Sequence, residues 1–152
     1  MKMVIDSFDG EFAFLSNFYE VPVEWEGITY PSTEHAFQAA KVINPAIRMK
    51  IAAEPTPGRA KRAGRSVQLR HDWEQVKFDI MLDIVMAKFR QHPDLAEALL
   101  DTGDAELIEG NTWNDTTWGV YNGKGLNWLG KILMMVRCQL KLEHQLEADL
   151  MI

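Results

Sequence analysis

The segment Ser32-Thr33-Glu34-His35-Ala36-Phe37-Gln38-Ala39-Ala40-Lys41 combines a carboxylate, an amide and an amine within ten residues. In a helix, at about 100° per residue, Glu34, Gln38 and Lys41 fall within about 60° of one another. Ala36, Ala39 and Ala40 lie opposite and allow close packing. The polar face is either solvated surface with a weak charge pair or one wall of a part-buried cleft, which Phe37 beside it favours. In a cleft, such a carboxylate can accept or donate a proton. Lys88 is a second unusual position. It follows Met81, Ile84 and Val85 at i−7, i−4 and i−3, which puts a lysine on an apolar helix face. Either it snorkels to water, or its amine is part-desolvated and suited to nucleophilic or anion-binding work.

Trp113-Asn114-Asp115-Thr116-Thr117-Trp118-Gly119 sets an acid between two large aromatics. Tryptophan rings offer flat faces for a base or sugar, and Asp115 beside them is a candidate general acid, base or cation stabiliser. The alternative is a loop whose tryptophans plug the core. Asn122-Gly123-Lys124-Gly125-Leu126-Asn127 precedes a helix, where glycines let backbone N–H groups approach an anion. It matches neither a Walker A motif nor a dinucleotide fingerprint. The four histidines, His35, His71, His92 and His144, have no clustered spacing, so no metal site is expected. No Gly-x-Ser-x-Gly elbow occurs. Cys138, the single cysteine, sits in an apolar helical pattern and reads as a buried, inert thiol.

These residues need elements to position them. Phe12–Phe18 is aromatic and reads as β-like. Val21–Tyr30 alternates and turns at Glu26-Gly27, a hairpin signal, with Pro22 marking an edge. Ser32 is the expected N-cap of a helix that ends near Asn44-Pro45. A second helical piece spans Ala46–Ala53, and a third starts after Pro57-Gly58. Asp72-Trp73-Glu74-Gln75 looks like a capping box that opens the longest helix, to about Arg90. Phe78, Met81, Leu82, Val85 and Phe89 form its apolar stripe, widened by Trp73, Val76, Ile80 and Ile84, as expected of the central core helix. A short helix follows from Pro93 to about Leu100. Leu107-Ile108 reads as a short strand, Asn111–Gly125 as a loop, and the last helix runs from about Leu126 to the mid-140s. The expected fold is α+β: one mostly helical domain over residues 1–152, with a small antiparallel sheet near the N-terminus.

Bulk properties narrow the function classes. The chain has 152 residues, 47% apolar and 10% aromatic, which is globular composition for one domain. No apolar run reaches the roughly 18 residues of a membrane span, so no membrane partner is expected. The opening Met1-Lys2-Met3-Val4-Ile5-Asp6 meets an acid too early for a signal peptide. With a lone cysteine, that points to a reducing cytoplasm. Net charge is −6, yet Arg48 to Arg70 carries seven bases against one acid, Glu54. An acidic protein with one basic stretch does not read as a general nucleic-acid coat. It suits either a site for one or two phosphates or a solvated helical surface.

In this order, the motifs resemble the YbiA-like family, also called NADAR. The matching pieces are Phe14-Leu15-Ser16-Asn17-Phe18-Tyr19, Tyr30 to Lys41, Ala60-Lys61-Arg62-Ala63-Gly64-Arg65, Asp72-Trp73, Met81 with Lys88-Phe89, and Leu99 to Asp104. Leu107-Ile108-Glu109, Asp115 with Trp118-Gly119, Gly125 with Asn127-Trp128-Leu129-Gly130, and Leu133-Met134 with Arg137 complete it. The likeness runs from about Phe8 to Leu140. Val120-Tyr121 departs from it, where a second small residue is expected.

The resemblance implies a YbiA-like fold and a hydrolase acting on N-glycosyl compounds, with no cofactor. Members cleave ribosylamine intermediates of early riboflavin synthesis; others remove ADP-ribose from guanine in DNA or RNA. Breaking the C1′–N bond builds oxocarbenium-like charge on the ribose, and the leaving nitrogen needs a proton. Glu34 and Asp115 are then the expected carboxylates, with Glu109 in reserve. Lys41 and Lys88 are the candidates for a Schiff-base route. Asn17, Phe18 and Gln38 would line the pocket, Trp118 beside Gly119 would stack on the heterocycle, and Asn127 would meet sugar or phosphate. Arg62 and Arg65 are expected phosphate contacts. Three functions follow: an N-glycosidase for a small phosphorylated ribosylamine, a hydrolase releasing ADP-ribose from modified nucleic acid, and a non-catalytic module binding ADP-ribose or NAD. Net charge and length favour the small ligand.

Overall fold

Proline, glycine and capping side chains divide the chain into short elements. In order these are β1 (Val4–Ile5), a 3-10 helix (Gly10–Leu15), β2 (Val23–Trp25), β3 (Ile28–Tyr30), α1 (Thr33–Ala39), α2 (Pro45–Ala52), α3 (Pro57–Gly64), α4 (Trp73–Gln91), α5 (Pro93–Asp101), β4 (Glu106–Leu107) and α6 (Trp128–Leu150). The computed structural model describes residues 2–151. It forms two compact units. One is Asn17–Gln91; the other is the chain up to Ser16 together with the chain from His92. Among the described residues no helix is long and apolar enough to cross a membrane. The α+β, mostly helical character expected from the sequence is what the structure shows.

In the Asn17–Gln91 unit, β2 and β3 pair antiparallel with Val23 opposite Tyr30 and Trp25 opposite Ile28. Glu26 and Gly27 both have positive φ, 48° and 83°, the requirement of the tight hairpin turn that the sequence signals. Ser32 caps α1 by accepting the His35 N–H at 3.1 Å. His35 is fully buried, with Nδ1 2.7 Å from Ser32 Oγ and Nε2 2.9 Å from the Glu54 carbonyl, which ties α1 to the segment before α3.

α1 ends at Ala39, several residues before the expected Asn44. Its last carbonyls turn to local partners: the Lys41 and Val42 N–H groups bond Gln38 O and Ala39 O. Arg70 Nη1 reaches Ala40 O at 3.5 Å, a cation at the helix C-terminus. Every residue from Ser32 to Ala40 is buried. α1 packs on α2, α3, α4 and both strands of the hairpin, so α1, and not α4, is the centre of this unit. α4 contributes Trp73, Met81, Ile84, Val85, Lys88 and Phe89 to the interior, while Phe78 and Leu82 are half-buried. The Asp72 carboxylate is held by Arg70, with Nε–Oδ1 at 2.6 Å and Nη2–Oδ2 at 3.2 Å. The expected capping box is thus replaced by a two-point ion pair.

In the other unit, Gly10–Leu15 is a 3-10 helix and not the β-like segment the aromatic run suggests. Adjacent Phe14 and Leu15 are both buried, a pattern strand alternation cannot produce. β1 pairs parallel with β4, Val4 with Glu106 and Ile5 with Leu107. α6 packs on α5 and β4 through Leu129, Ile132, Leu133, Val136 and Leu140. Cys138 is exposed, contrary to expectation. It lies about 200° around the helix from Val136, on the face away from that core.

Candidate active site

Glu34 is 7% exposed on a helix with no solvated face. Two contacts orient it. Its backbone N–H donates to Asn17 O at 3.1 Å, and its Oε1 accepts from Gln38 Nε2 at 3.1 Å. Asn17 is held in turn by Thr33, whose Oγ1 donates to Asn17 Oδ1 at 2.8 Å. Asn17 Nδ2 points at Met81 Sδ, 3.5 Å away. The loop after Asn17 therefore lies against the start of α1 and the middle of α4. Gln38 is 4% exposed. The spacing Glu34–Gln38 thus places a carboxylate and an amide in contact inside the unit; the solvated-surface reading of these two residues does not hold.

Lys41 lies past the helix end and is half-buried. Burial lowers its amine below the ordinary lysine value; the Glu34 charge opposes this, and Arg65, Lys61 and Lys77 add to it. Those causes describe a cluster of cations around one carboxylate. Lys61 is on α3, Arg65 caps its C-terminal end one turn on, and Lys77 is on α4. Lys61 Nζ sits 5.9 Å from the Phe18 ring centroid. Arg62 and Arg65 are both exposed, and Arg65 acts on Lys41 together with Lys61. Lys88 is 1% exposed, so it does not snorkel. Burial lowers its amine to about 7. Its Nζ lies 5.5 Å from the Tyr19 ring and 5.3 Å from that of Phe89. A lysine amine of that kind is substantially neutral near pH 7 and can act as a nucleophile.

Glu109, Asp115, Trp118, Gly119 and Asn127 belong to the other unit, where most have structural duties. Asp115 Oδ1 accepts the N–H groups of Thr117 and Trp118 at 3.0 and 2.9 Å. Asn111 holds the same loop through Oδ1 to Asp115 N and Nδ2 to Asp115 O. Asn127, at φ 54°, bridges two backbone groups: Oδ1 accepts Glu109 N at 2.9 Å and Nδ2 donates to Leu107 O at 2.9 Å. Trp118 meets Trp128 edge-on at 5.4 Å. The glycines serve close backbone approach. A Cβ on Gly119 would fall 2.2 Å from Glu109 O, and one on Gly125 2.1 Å from Gly119 O. The N–H groups at the start of α6 are occupied too: Leu126, Asn127, Trp128 and Leu129 donate to Thr116, Gly119, Thr117 and Trp118 carbonyls. The start of α6 is thus held by its own loop, residues 116–119.

Sequence reasoning passed over Lys77 and Tyr19. Lys61 stood in the basic stretch without a role of its own. The signal for Lys77 was weak, because its i−3 partner Glu74 reads as an ordinary surface pair.

The chain is similar to known proteins over most of its length. A family model described as the NADAR domain matches residues 6–141. The chain is 43% identical over 136 residues to N-glycosidase YbiA of Shigella boydii serotype 4 (strain Sb227), covering 88% of this chain and 84% of the relative. It is 40% identical over 139 residues to riboflavin biosynthesis protein VVA0006 of Vibrio vulnificus (strain YJ016), covering 90% of this chain and 37% of that longer protein. The NMR structure of the E. coli protein YbiA superposes with a TM-score of 0.83 at 40% identity, covering 95% of this chain and 89% of that one. Motifs, fold and these similarities agree: the chain belongs to the NADAR domain family.

Proposed function

We propose that this protein is an N-glycosidase that hydrolyses the C1′–N bond between a phosphorylated ribose and a heterocycle amine, as in the ribosylamine intermediates of early riboflavin synthesis. The observation that carries the reading is Glu34: a carboxylate on a wholly buried helix, oriented by Gln38 and acting on Lys41 within a cluster of cations. The names of the relatives, N-glycosidase and riboflavin biosynthesis protein, support the same chemistry. The family match spans both units, which supports treating residues 1–152 as one domain.

As the C1′–N bond breaks, positive charge grows on the ribose. Glu34 opposes that charge directly, or takes a proton from the attacking water. The departing nitrogen takes up a proton and leaves as the free amine. A second route uses lysine: neutral Lys88 Nζ bonds to C1′ as the heterocycle amine leaves, the sugar ring opens to a Schiff base, and water hydrolyses it to return the amine. Lys41 is the alternative nucleophile. Lys61 and Arg65 supply charge for the substrate phosphate.

Incubation with a 5-phosphoribosylamine pyrimidine is expected to release ribose phosphate and the free pyrimidine amine. Release only from an oligonucleotide bearing ADP-ribosylated guanine would move the substrate class to modified nucleic acid. Turnover of neither would overturn the reading in favour of a binding module.

A further inference from the structure

We propose that Gln38 is a positioning residue that holds Glu34 as an oriented carboxylate, and that Gly64 is the position on α3 that makes room for it. The inference rests on the reading of Glu34 as the reaction's carboxylate. Gln38 follows Glu34 by one turn of α1, and its Nε2 donates to Glu34 Oε1 at 3.1 Å. The other end of the amide, Oε1, is buried with no hydrogen-bond partner among the described residues. It lies against Gly64, where an added Cβ would come within 1.8 Å of Oε1 and 2.7 Å of Cδ.

Gly64 needs no left-handed backbone, since it is absent from the positive-φ positions. A helical glycine without that need is there for space. The amide orientation carries chemical information as well. An ionised carboxylate only accepts hydrogen bonds, so it matches the amide's N–H and not its carbonyl. Turned over, Gln38 would set an acceptor against an acceptor unless Glu34 carried a proton. The amide therefore favours ionised Glu34 in one rotamer, at the expense of an unpaired carbonyl against Gly64. The charged groups on the elements packed around α1 are Glu24 on β2, Arg48 and Lys50 on α2, Arg59, Lys61 and Arg62 on α3, and Glu74, Lys77, Asp79, Asp83, Lys88 and Arg90 on α4, with Lys41 beyond the end of α1 and Arg65 beyond that of α3. They are the same in all variants compared below.

The test does not depend on turnover. In protein labelled with ¹³C at the glutamate carboxyls, the Glu34 resonance is assigned as the one missing from Glu34→Gln. Its titration midpoint is followed in wild type, Gln38→Leu, Gln38→Ala, Gly64→Ala and the Gln38→Ala, Gly64→Ala double variant. Gln38→Leu is expected to raise the midpoint by about one pH unit, a tenfold change in proton affinity. Gly64→Ala alone should act in the same direction but add little on the Gln38→Ala background, because the two closest atoms, Oε1 and Cδ, are then gone and only the Cβ of residue 38, 3.1 Å away, remains. An unchanged midpoint in Gln38→Leu overturns the proposal, and so does an additive effect of Gly64→Ala. If Gly64→Ala does not fold, the Gln38→Leu titration decides alone. With the ribosylamine, Gln38→Leu should lose about tenfold in kcat with KM unchanged. A wild type that titrates as expected but turns nothing over would sink the catalytic reading and leave the positioning intact.

Discussion

Replacing Lys88 by methionine should stabilise the protein at neutral pH and flatten its pH dependence. Methionine is close in length and shape, and Met81, Ile84 and Val85 on the same stripe already provide apolar surroundings. Burial lowers the Lys88 amine from the ordinary 10.5 to about 7. Between those two values the unfolded chain holds a proton that the folded chain has released. Unfolding then takes up a proton, and stability rises with pH. Below about pH 7 the cost of burying the charge is present in full; above about 10.5 it is gone. At about 1.4 kcal/mol per pH unit the full displacement corresponds to about 5 kcal/mol. Between pH 7 and 9 the wild type should recover about 2 kcal/mol of it. For a chain of this size that is a rise in Tm of roughly 4–8 °C. The assay is thermal or urea unfolding of wild type and Lys88→Met at matched ionic strength from pH 7 to 9. The two curves should converge as pH rises. Lys41, also lowered by burial, contributes to both proteins and cancels in the difference. Parallel curves would refute the reasoning, since they would mean that Lys88 is charged or solvated to the same degree folded and unfolded.

Glu34→Gln should fold as wild type and lose about 10²–10⁴ in rate; a fully active variant removes Glu34 from the chemistry. Borohydride added during turnover should trap an adduct that maps to a single lysine, and Lys88→Met should abolish it if Lys88 is the nucleophile; trapping that survives in Lys88→Met but not in Lys41→Met would transfer the role. Arg65→Ala combined with Lys61→Ala should raise KM for the phosphorylated substrate about tenfold or more while sparing kcat, and an unchanged KM would place the phosphate elsewhere. Asn127→Ala should cost about 2–4 kcal/mol in urea unfolding, through two lost hydrogen bonds and a non-glycine residue left at φ 54°. Asn127→Gly should cost less, because it relieves the second term.

Local rules made much of the scaffold legible. Glu26-Gly27 is a turn because both residues must take positive φ, and Ser32 caps a helix because it offers a side-chain oxygen to a free N–H. Helical spacing likewise put Glu34 beside Gln38 and Lys88 on an apolar face. For two residues the local pattern leaves structure and chemistry equally open. Asp115 and Asn127 look equally like chemistry and like structure, since the same oxygens and amides serve both; only their backbone partners distinguish the two.

What the sequence determined by itself was therefore local: turns, caps, the faces of α1 and α4, and the ordered set of motifs that marks the family. What only the tertiary structure decided was non-local. The pairing of β1 with β4 joins strands about a hundred residues apart, each only two residues long, and so too short to show any period. The burial of α1 on every side comes from three helices and two strands that its own sequence does not encode. Lys41 lies beside Glu34 although the helix that should carry it stops short, and Lys61, given no role by the sequence, acts on it. Desolvation, which lowers the Lys88 amine, is a property of everything packed around a group. It exists only once the chain has folded, which is why the spacing of Lys88 could pose the question and only its 1% exposure could answer it.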